Sequence, residues 1–429
     1  NQHIIFKENT IMAATEWAWR VLSAGILFSI AACQPMADVP LSQNGVTGST
    51  EDARSFQDDV EFLERHMELV ILRRADSRAQ VAVAPHWQGR VMTSAANSDS
   101  GIGYGWINEA LIASGELQAH INAVGGEDRF WLGPEGGQFS IFFKNGDPFD
   151  LEHWQTPPAL DTTPYEVTTR DDSQVAFTHH VTLTNYSDIQ FEVRIDRAIR
   201  LVEPSGLGVA TPPSVQSVAY ESENTITNVG PDAWTPDTGL LSIWILGMFK
   251  HSPKTVVIIP FRGGTEKDLG PIVNDAYFGK VPDDRLTIKD TVLFFRADGA
   301  YRSKIGLSPK RSTPILGSYD PTRQLLTVVR YDLPEGATDY VNSMWEFQDE
   351  PYAGDAVNSY NDGPPSPGAA ALGPFYELET SSPAATLTPG QSLTHKHQTY
   401  HFEGTKVSLD PIVQEAFGVS LDTIVTAFP

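Results

Sequence analysis

Between residues 81 and 404 the chain is punctuated by short runs of β-branched, aromatic and aliphatic residues, at 81–83, 139–143, 175–183, 191–199, 255–261, 291–295 and 325–331. Turn-forming pairs such as Asn145-Gly146 and Asp298-Gly299 separate them, and punctuation of this kind is the mark of antiparallel strands. No alternation of helical and extended segments runs through this stretch, which speaks against a parallel sheet of βαβ units. Nor is there a short internal repeat of the kind that builds propellers and solenoids. About 350 residues exceed an ordinary sandwich, so the predicted fold is all-β, a large two-sheet antiparallel supersandwich over residues 55–404.

Short helices flank it. Ser55 is placed to cap a helix over 56–66 that puts Phe56, Val60 and Leu63 on one face. At the other end Asp410 is positioned as a cap, Pro411 as a first helical residue and Gly418 as a stop, giving a helix over 411–417, with a further helical turn within 420–428. The tail, 405–429, is expected to pack on the sandwich.

Composition bounds the partners. With 41% hydrophobic and 10% aromatic residues, 34 Gly and 30 Pro, the profile is globular and loop-rich. Thirty basic residues against 54 acidic ones leave a formal charge of -24, without the basic runs that track a phosphate backbone, so nucleic acid is not an expected partner.

The N-terminal segment predicts a location. From Met12, read as the start, a polar stretch with Arg20 precedes an apolar run over 21–32, too short to span a bilayer but suited to a signal peptide. Ile30-Ala31-Ala32-Cys33 matches a bacterial lipobox, in which the chain is cut before the cysteine and the thiol is acylated. Residues 1–33 therefore read as a signal peptide with Cys33 as lipidation site, and 34–54, rich in Ser, Asp, Thr, Pro and Gly, as a flexible tether. The expected setting is the bacterial cell envelope, with the membrane touched only through a lipid anchor. Cys33 is the chain's single cysteine, which leaves no thiol for disulfides.

Three segments carry candidate chemistry. In 375–402 the period of two sets Glu377 and Glu379 on one face of a strand, and after a Pro389-Gly390 turn puts Leu393, His395, His397, Thr399 and His401 on one face of the next. Carboxylates followed by imidazoles make either a polar sheet surface or an acid/base site, and two imidazoles with a carboxylate also suit zinc. In 125–137 an extended backbone sets Arg129, Trp131 and Glu135 on one face, a charged group beside an indole as a pyranose requires, or else a buried Arg–Glu pair that holds a loop. In 345–367, read as a loop, Trp345, Glu346, Asp355, Asn358 and Tyr360 crowd together, the composition of a sugar-binding surface. Plain loop structure, or a calcium or other divalent ion on its oxygens, is the alternative there, and no other cofactor is expected.

The pair Leu378-Glu379, the Leu387–Gly390 stretch Leu-x-Pro-Gly and the Tyr-x-Phe at 400–402 resemble the C-terminal end of aldose 1-epimerases, the galactose mutarotases. More widely, the segments at 125–143, 296–307, 317–320 and 354–364 look like an uncharacterised group of bacterial secreted or lipid-anchored proteins of the galactose mutarotase-like superfamily. The resemblance implies the sandwich fold, and makes Glu379 the general base of a sugar epimerase or other carbohydrate-active enzyme. The acid in aldose epimerases is a His after an Asn-rich segment, and Trp244 stands at the comparable position, 227–230 followed by 241–246. His395 and His397, on the strand after Glu379, are then the catalytic partners expected. Arg129, Trp131, Glu135, Trp244, Trp345, Glu346, Asp355, Asn358, Tyr360 and Glu377 are the expected carbohydrate contacts. A glycan-binding envelope lipoprotein that has lost its acid is the alternative.

Overall fold

The computed structural model describes residues 54–428, apart from 76, 100 and 367. The leader, Cys33 and the tether up to residue 53 lie outside the described residues. In chain order the strands are β1 (Val70–Arg73), β2 (Gln80–Ala84), β3 (Arg90–Ala95), β4 (Arg129–Gly133), β5 (Glu166–Arg170) and β6 (Gln174–Thr184). There follow β7 (Gln190–Leu201), β8 (Gln216–Asn228), β9 (Ser242–Lys250), β10 (Val256–Pro260), β11 (Leu286–Lys289) and β12 (Val292–Arg296). The last are β13 (Ser303–Leu307), β14 (Ile315–Asp320), β15 (Leu325–Tyr331), β16 (Val357–Asn361), β17 (Phe375–Ser381) and β18 (Ser392–Glu403).

Ten of these form one sheet, in the order β11-β12-β10-β14-β15-β18-β8-β7-β6-β5. Five form a second, β13-β16-β17-β9-β4, and β1-β2-β3 a third. The ladders are antiparallel, so the chain is the large β-sandwich that its strand punctuation predicts.

Alternation decides what each face meets. On β10, Val257 and Ile259 point inward and pack with Ile305, Leu307, Val357, Tyr376 and Leu378 of the five-stranded sheet. Val256 and Ile258 point the other way, into a cluster with Leu409, Ile412, Val413 and Phe417 of the helix Lys406–Phe417 and with Leu421 and Ile424 of the helix Leu421–Val425. The C-terminal helices therefore cover part of the outer face of the large sheet, each buried aliphatic side chain contributing roughly 1.5–3 kcal/mol. The small sheet continues the second layer: Val70, Leu72 and Val81 join Val175, Phe177 and Ile195 in one core cluster, and a bridge from Val91 to Asp128 links it to the start of β4. The helix Phe56–Glu64 packs on it with Phe56, Val60 and Leu63 buried, and Ser55 and Asp58 make a capping box.

Four expectations are corrected. Residues 139–143 are not a strand; Ile141 bonds back to Pro134, and Phe142 and Phe143 are buried in a bend against aromatic neighbours. Val357–Asn361, expected in a loop, is strand β16, with its side chains divided between core and opposite face. The C-terminal helix begins at Lys406 with Thr405 as cap, so Asp410 and Pro411 lie inside it, although Gly418 ends it in a left-handed conformation as expected. Lastly, β17 and β18 are not a hairpin. The Pro389-Gly390 turn lies in a connection that carries the chain from the five-stranded sheet to the ten-stranded one.

Candidate functional site

Because Tyr376 and Leu378 of β17 face the core, Glu377 and Glu379 face away from it. Register brings a polar set onto that same outer face. Glu379 pairs with Asn358 and Glu377 with Tyr360 on β16, and Tyr360 with Lys304 on β13. On the other side Glu379 stands opposite Leu246 of β9, Ser381 opposite Trp244, and Trp131 of β4 opposite Trp244. These side chains are buried all the same, because the segments around 271–280 and 340–355 lie over the sheet.

Glu379 is fully buried, and its two oxygens are unlike. Oε2 accepts from Lys304 Nζ at 2.9 Å and from Trp244 Nε1 at 2.9 Å, whereas Oε1 has no hydrogen-bond partner. Lys304 Nζ sits 4.6 Å from the centre of the Trp244 ring, a cation–π contact. Burial works against the Lys304 ammonium, but Glu379 and Glu135 outweigh it and hold its pKa above the usual lysine value. Next along β17, Glu377 Oε1 accepts from Arg129 Nη2 at 2.8 Å, and that guanidinium lies 4.4 Å from the centre of the Trp131 ring. Burial nevertheless pushes the Glu377 carboxyl up to about 7, with Arg129 opposing. Glu135, part-buried on the bend after β4, is pushed by burial to about 7 as well; Lys304 lowers it, Glu379 raises it and a Trp345 hydrogen bond lowers it.

A narrow cleft lies against this face, lined by Trp244, Lys304, Tyr277, Asp355, Asn358 and Ser242, together with Gly133, Val341, Ser343 and Ser381. It has room for roughly one water. One wall is a hydrogen-bonded chain: Asp355 Oδ2 accepts from Tyr277 at 2.7 Å and from Asn274 at 3.2 Å, and Asn358 donates to Tyr277 at 3.1 Å. Burial raises the Asp355 pKa. Ser242 Oγ, in a residue 1% exposed, has no partner, and neither has Trp131 Nε1.

Of the residues singled out by sequence, Trp244, Asp355 and Asn358 line the cleft, Glu379 holds two of its lining side chains, and Arg129, Trp131, Glu377 and Tyr360 share the same face. Tyr360 is tied down, its hydroxyl donating to Asp362 at 2.6 Å and accepting from Arg302 at 3.2 Å. Trp345 stacks against Trp154 and meets Phe143 edge to face. Glu346 is exposed and joins none of the hydrogen bonds of the site.

His395 and His397 are not beside Glu379. They lie between the two sheets, fully buried, with His395 Nε2 and His397 Nδ1 each 2.9 Å from Thr380 Oγ1. Thr380 follows Glu379 in β17 and so points to the opposite face. The sheet itself separates the imidazoles from the carboxylate they were expected to serve. His401 lies in the same layer, 3.0 Å from Glu127, a carboxylate that also accepts from Ser94 and Tyr220. Among the described residues no group of three or more His, Cys, Asp or Glu side chains is gathered that could hold a metal ion.

Sequence reasoning missed Lys304 and Tyr277. A lone lysine in the alternating strand Ser-Lys-Ile-Gly-Leu was a usable signal for the first. Tyr277 comes from an irregular segment with no pattern to mark it.

A sequence profile of a family of unknown function, DUF6786, matches residues 54–428. The chain belongs to that family. No match is found among curated proteins. Similar solved structures include a galactose mutarotase-like protein from Lactobacillus casei, 13% identical over 78% of this chain and 100% of that one, with a TM-score of 0.45. Others are the Slr1438 protein of Synechocystis sp. PCC 6803 (13% identity, 78% and 96% coverage, TM-score 0.45) and a galactose mutarotase related enzyme from Lactobacillus acidophilus (9%, 79% and 98%, 0.44).

Proposed function

We propose that the face of the five-stranded sheet around Glu379 binds a carbohydrate and that Glu379 acts there as a general base. The observation that carries the reading is the asymmetry of this carboxylate. Lys304 and Trp244 fix one oxygen, while the buried second oxygen has no partner and is free to take a proton from a sugar hydroxyl.

An epimerase needs a second proton-transfer group for the ring oxygen. The structure favours Glu135 over the histidines for that role, since its carboxyl near 7 keeps a proton available at neutral pH and Lys304 couples it to Glu379. Glu379 as base and Glu135 as acid would together do the work that a Glu and a His do in aldose epimerases. Glycan-array binding of the purified protein selects the sugar, and Glu379→Gln is expected to lower kcat at least a hundredfold with little change in binding. Unchanged turnover in that variant removes Glu379 from the role.

A second reading, binding without catalysis, is favoured by the indole of Trp244, which meets Glu379 with a group that exchanges no proton in catalysis. In that case sugars bind and no anomerisation is detected by polarimetry with any bound sugar. We also propose, from the lipobox at Cys33, that the protein is lipid-anchored in the bacterial envelope. Cys33→Ser would then move it from the membrane fraction to the soluble one.

A further inference from the structure

The cleft has room for one water-sized group, far less than a sugar ring, and its surroundings carry more carboxylates than cations. Glu135, Asp355, Asp362, Glu377 and Glu379 stand on or over this face, against Lys304, Arg129 and Arg302. Two of the cations are taken, Arg129 by Glu377 and Lys304 by Glu379. Arg302 donates to Tyr360 and lies against Phe278. Asp355 and Asp362 rest on neutral donors, Tyr277 and Asn274 for the first, Tyr360 and the Gly373 amide for the second. Carboxyl groups on this face thus outnumber cations by two, five against three, and burial favours the protonated form of several of them. Ser242 Oγ, which lines the cleft and is 1% exposed, is an unused acceptor there, and Glu379 Oε1, on the carboxylate that holds Lys304 and Trp244 of the lining, is unused as well.

We infer that the cleft takes the ammonium group of an aminosugar, which enters as a single water-sized cation while its ring stays at the mouth. This rests on the carbohydrate reading and narrows it to sugars with a free amine. An ammonium brings three donors and no acceptor, the complement of the unused oxygens, and its charge offsets a surplus that buried carboxylates otherwise relieve by keeping protons. Lys304 lines the same cleft, but its charge is already met by Glu379, so it does not exclude a second cation.

Isothermal titration of the full chain at pH 7 with glucosamine disaccharide, its N-acetylated counterpart and the neutral glucose disaccharide tests the inference. The free amine is expected to bind at least tenfold tighter than either control, with the preference reduced tenfold or abolished in Glu135→Gln or in Asp355→Asn, whichever folds by circular dichroism. Equal affinities, or tighter binding of the acetylated sugar, overturn the inference while leaving the carbohydrate reading in place. If no disaccharide binds and a glycan array is also blank, both fail. A preference that survives in both folded variants puts the amine elsewhere and overturns the assignment to this cleft.

Discussion

Glu379 is a buried carboxylate whose charge is matched by one side chain, Lys304, and that dependence can be measured. Removing the ammonium in Lys304→Met leaves the carboxylate uncompensated, and the cost is expected to be about 3–5 kcal/mol, seen as a lower midpoint in denaturant titration. Replacing both partners, Lys304→Met with Glu379→Leu, is expected to recover most of that loss, because two apolar side chains need no pairing. A double variant no more stable than the single one would show that the pair is not what holds this part of the sheet. The carboxylates were legible in the sequence, since period-two alternation places Glu377 and Glu379 together. Their partners were not. Lys304 is some 75 residues away along the chain, and only the strand register of β13, β16 and β17 makes the two neighbours. The two histidines show the converse. Each was placed on the right face of its own strand, but local alternation carries no information on which sheet that strand joins.

Within the elements, the close packing of β13 on β16 depends on Gly306. A Cβ there would lie 2.1 Å from Asp355 Oδ2 and 2.5 Å from Asn358 Nδ2, so Gly306→Ala must displace the Asp355–Tyr277–Asn358 chain. We expect it to lower the melting temperature by several degrees and to weaken ligand binding more than Ser303→Ala on the other face of the same strand, as calorimetry and binding titration would show. Strands with strong alternation, such as β6 and β7, were readable from the sequence, and so was β15 as a short apolar β-branched run. β13 and β16 were not, because Gly, Asn, Ser and Lys are poor strand formers and occur there for what the face does. The run at 139–143 failed in the opposite sense: its apolar residues are buried, but by a bend that a periodicity argument takes for a strand.

On the scale of the whole molecule, the sandwich depends on the C-terminal helices to cover its large sheet. Truncation after Gly404 would expose Val256, Ile258, Val328 and Phe402 as a contiguous apolar surface, and the shortened chain is expected to be insoluble on expression while the full chain is not. Acid and base pull on the fold in opposite senses. Burial lowers His395 to about 3 and His397 to about 4. The unfolded chain therefore binds more protons than the folded one below about 6.5, and stability falls with pH from there to about 4. For His397 alone this is roughly 3 kcal/mol. Glu135 and Glu377 behave inversely. Each is raised to about 7, so the stability they confer below about 4.5 is lost as pH rises to about 7. Urea titrations across pH 4–8 should show the acid limb flattened in His397→Asn with the neutral limb unchanged; an unaltered acid limb would mean that the imidazole is not what titrates.

Thr380 has one hydroxyl proton for two imidazoles, so it donates to one and accepts from the other. The ring tautomers of His395 and His397 are thus interlocked through a residue whose backbone also carries Glu379. Any ligand that shifts Glu379 by a fraction of an ångström would disturb that shared proton, and the imidazole nitrogen resonances, shielded from solvent on the far side of the sheet, would register occupancy without touching the ligand.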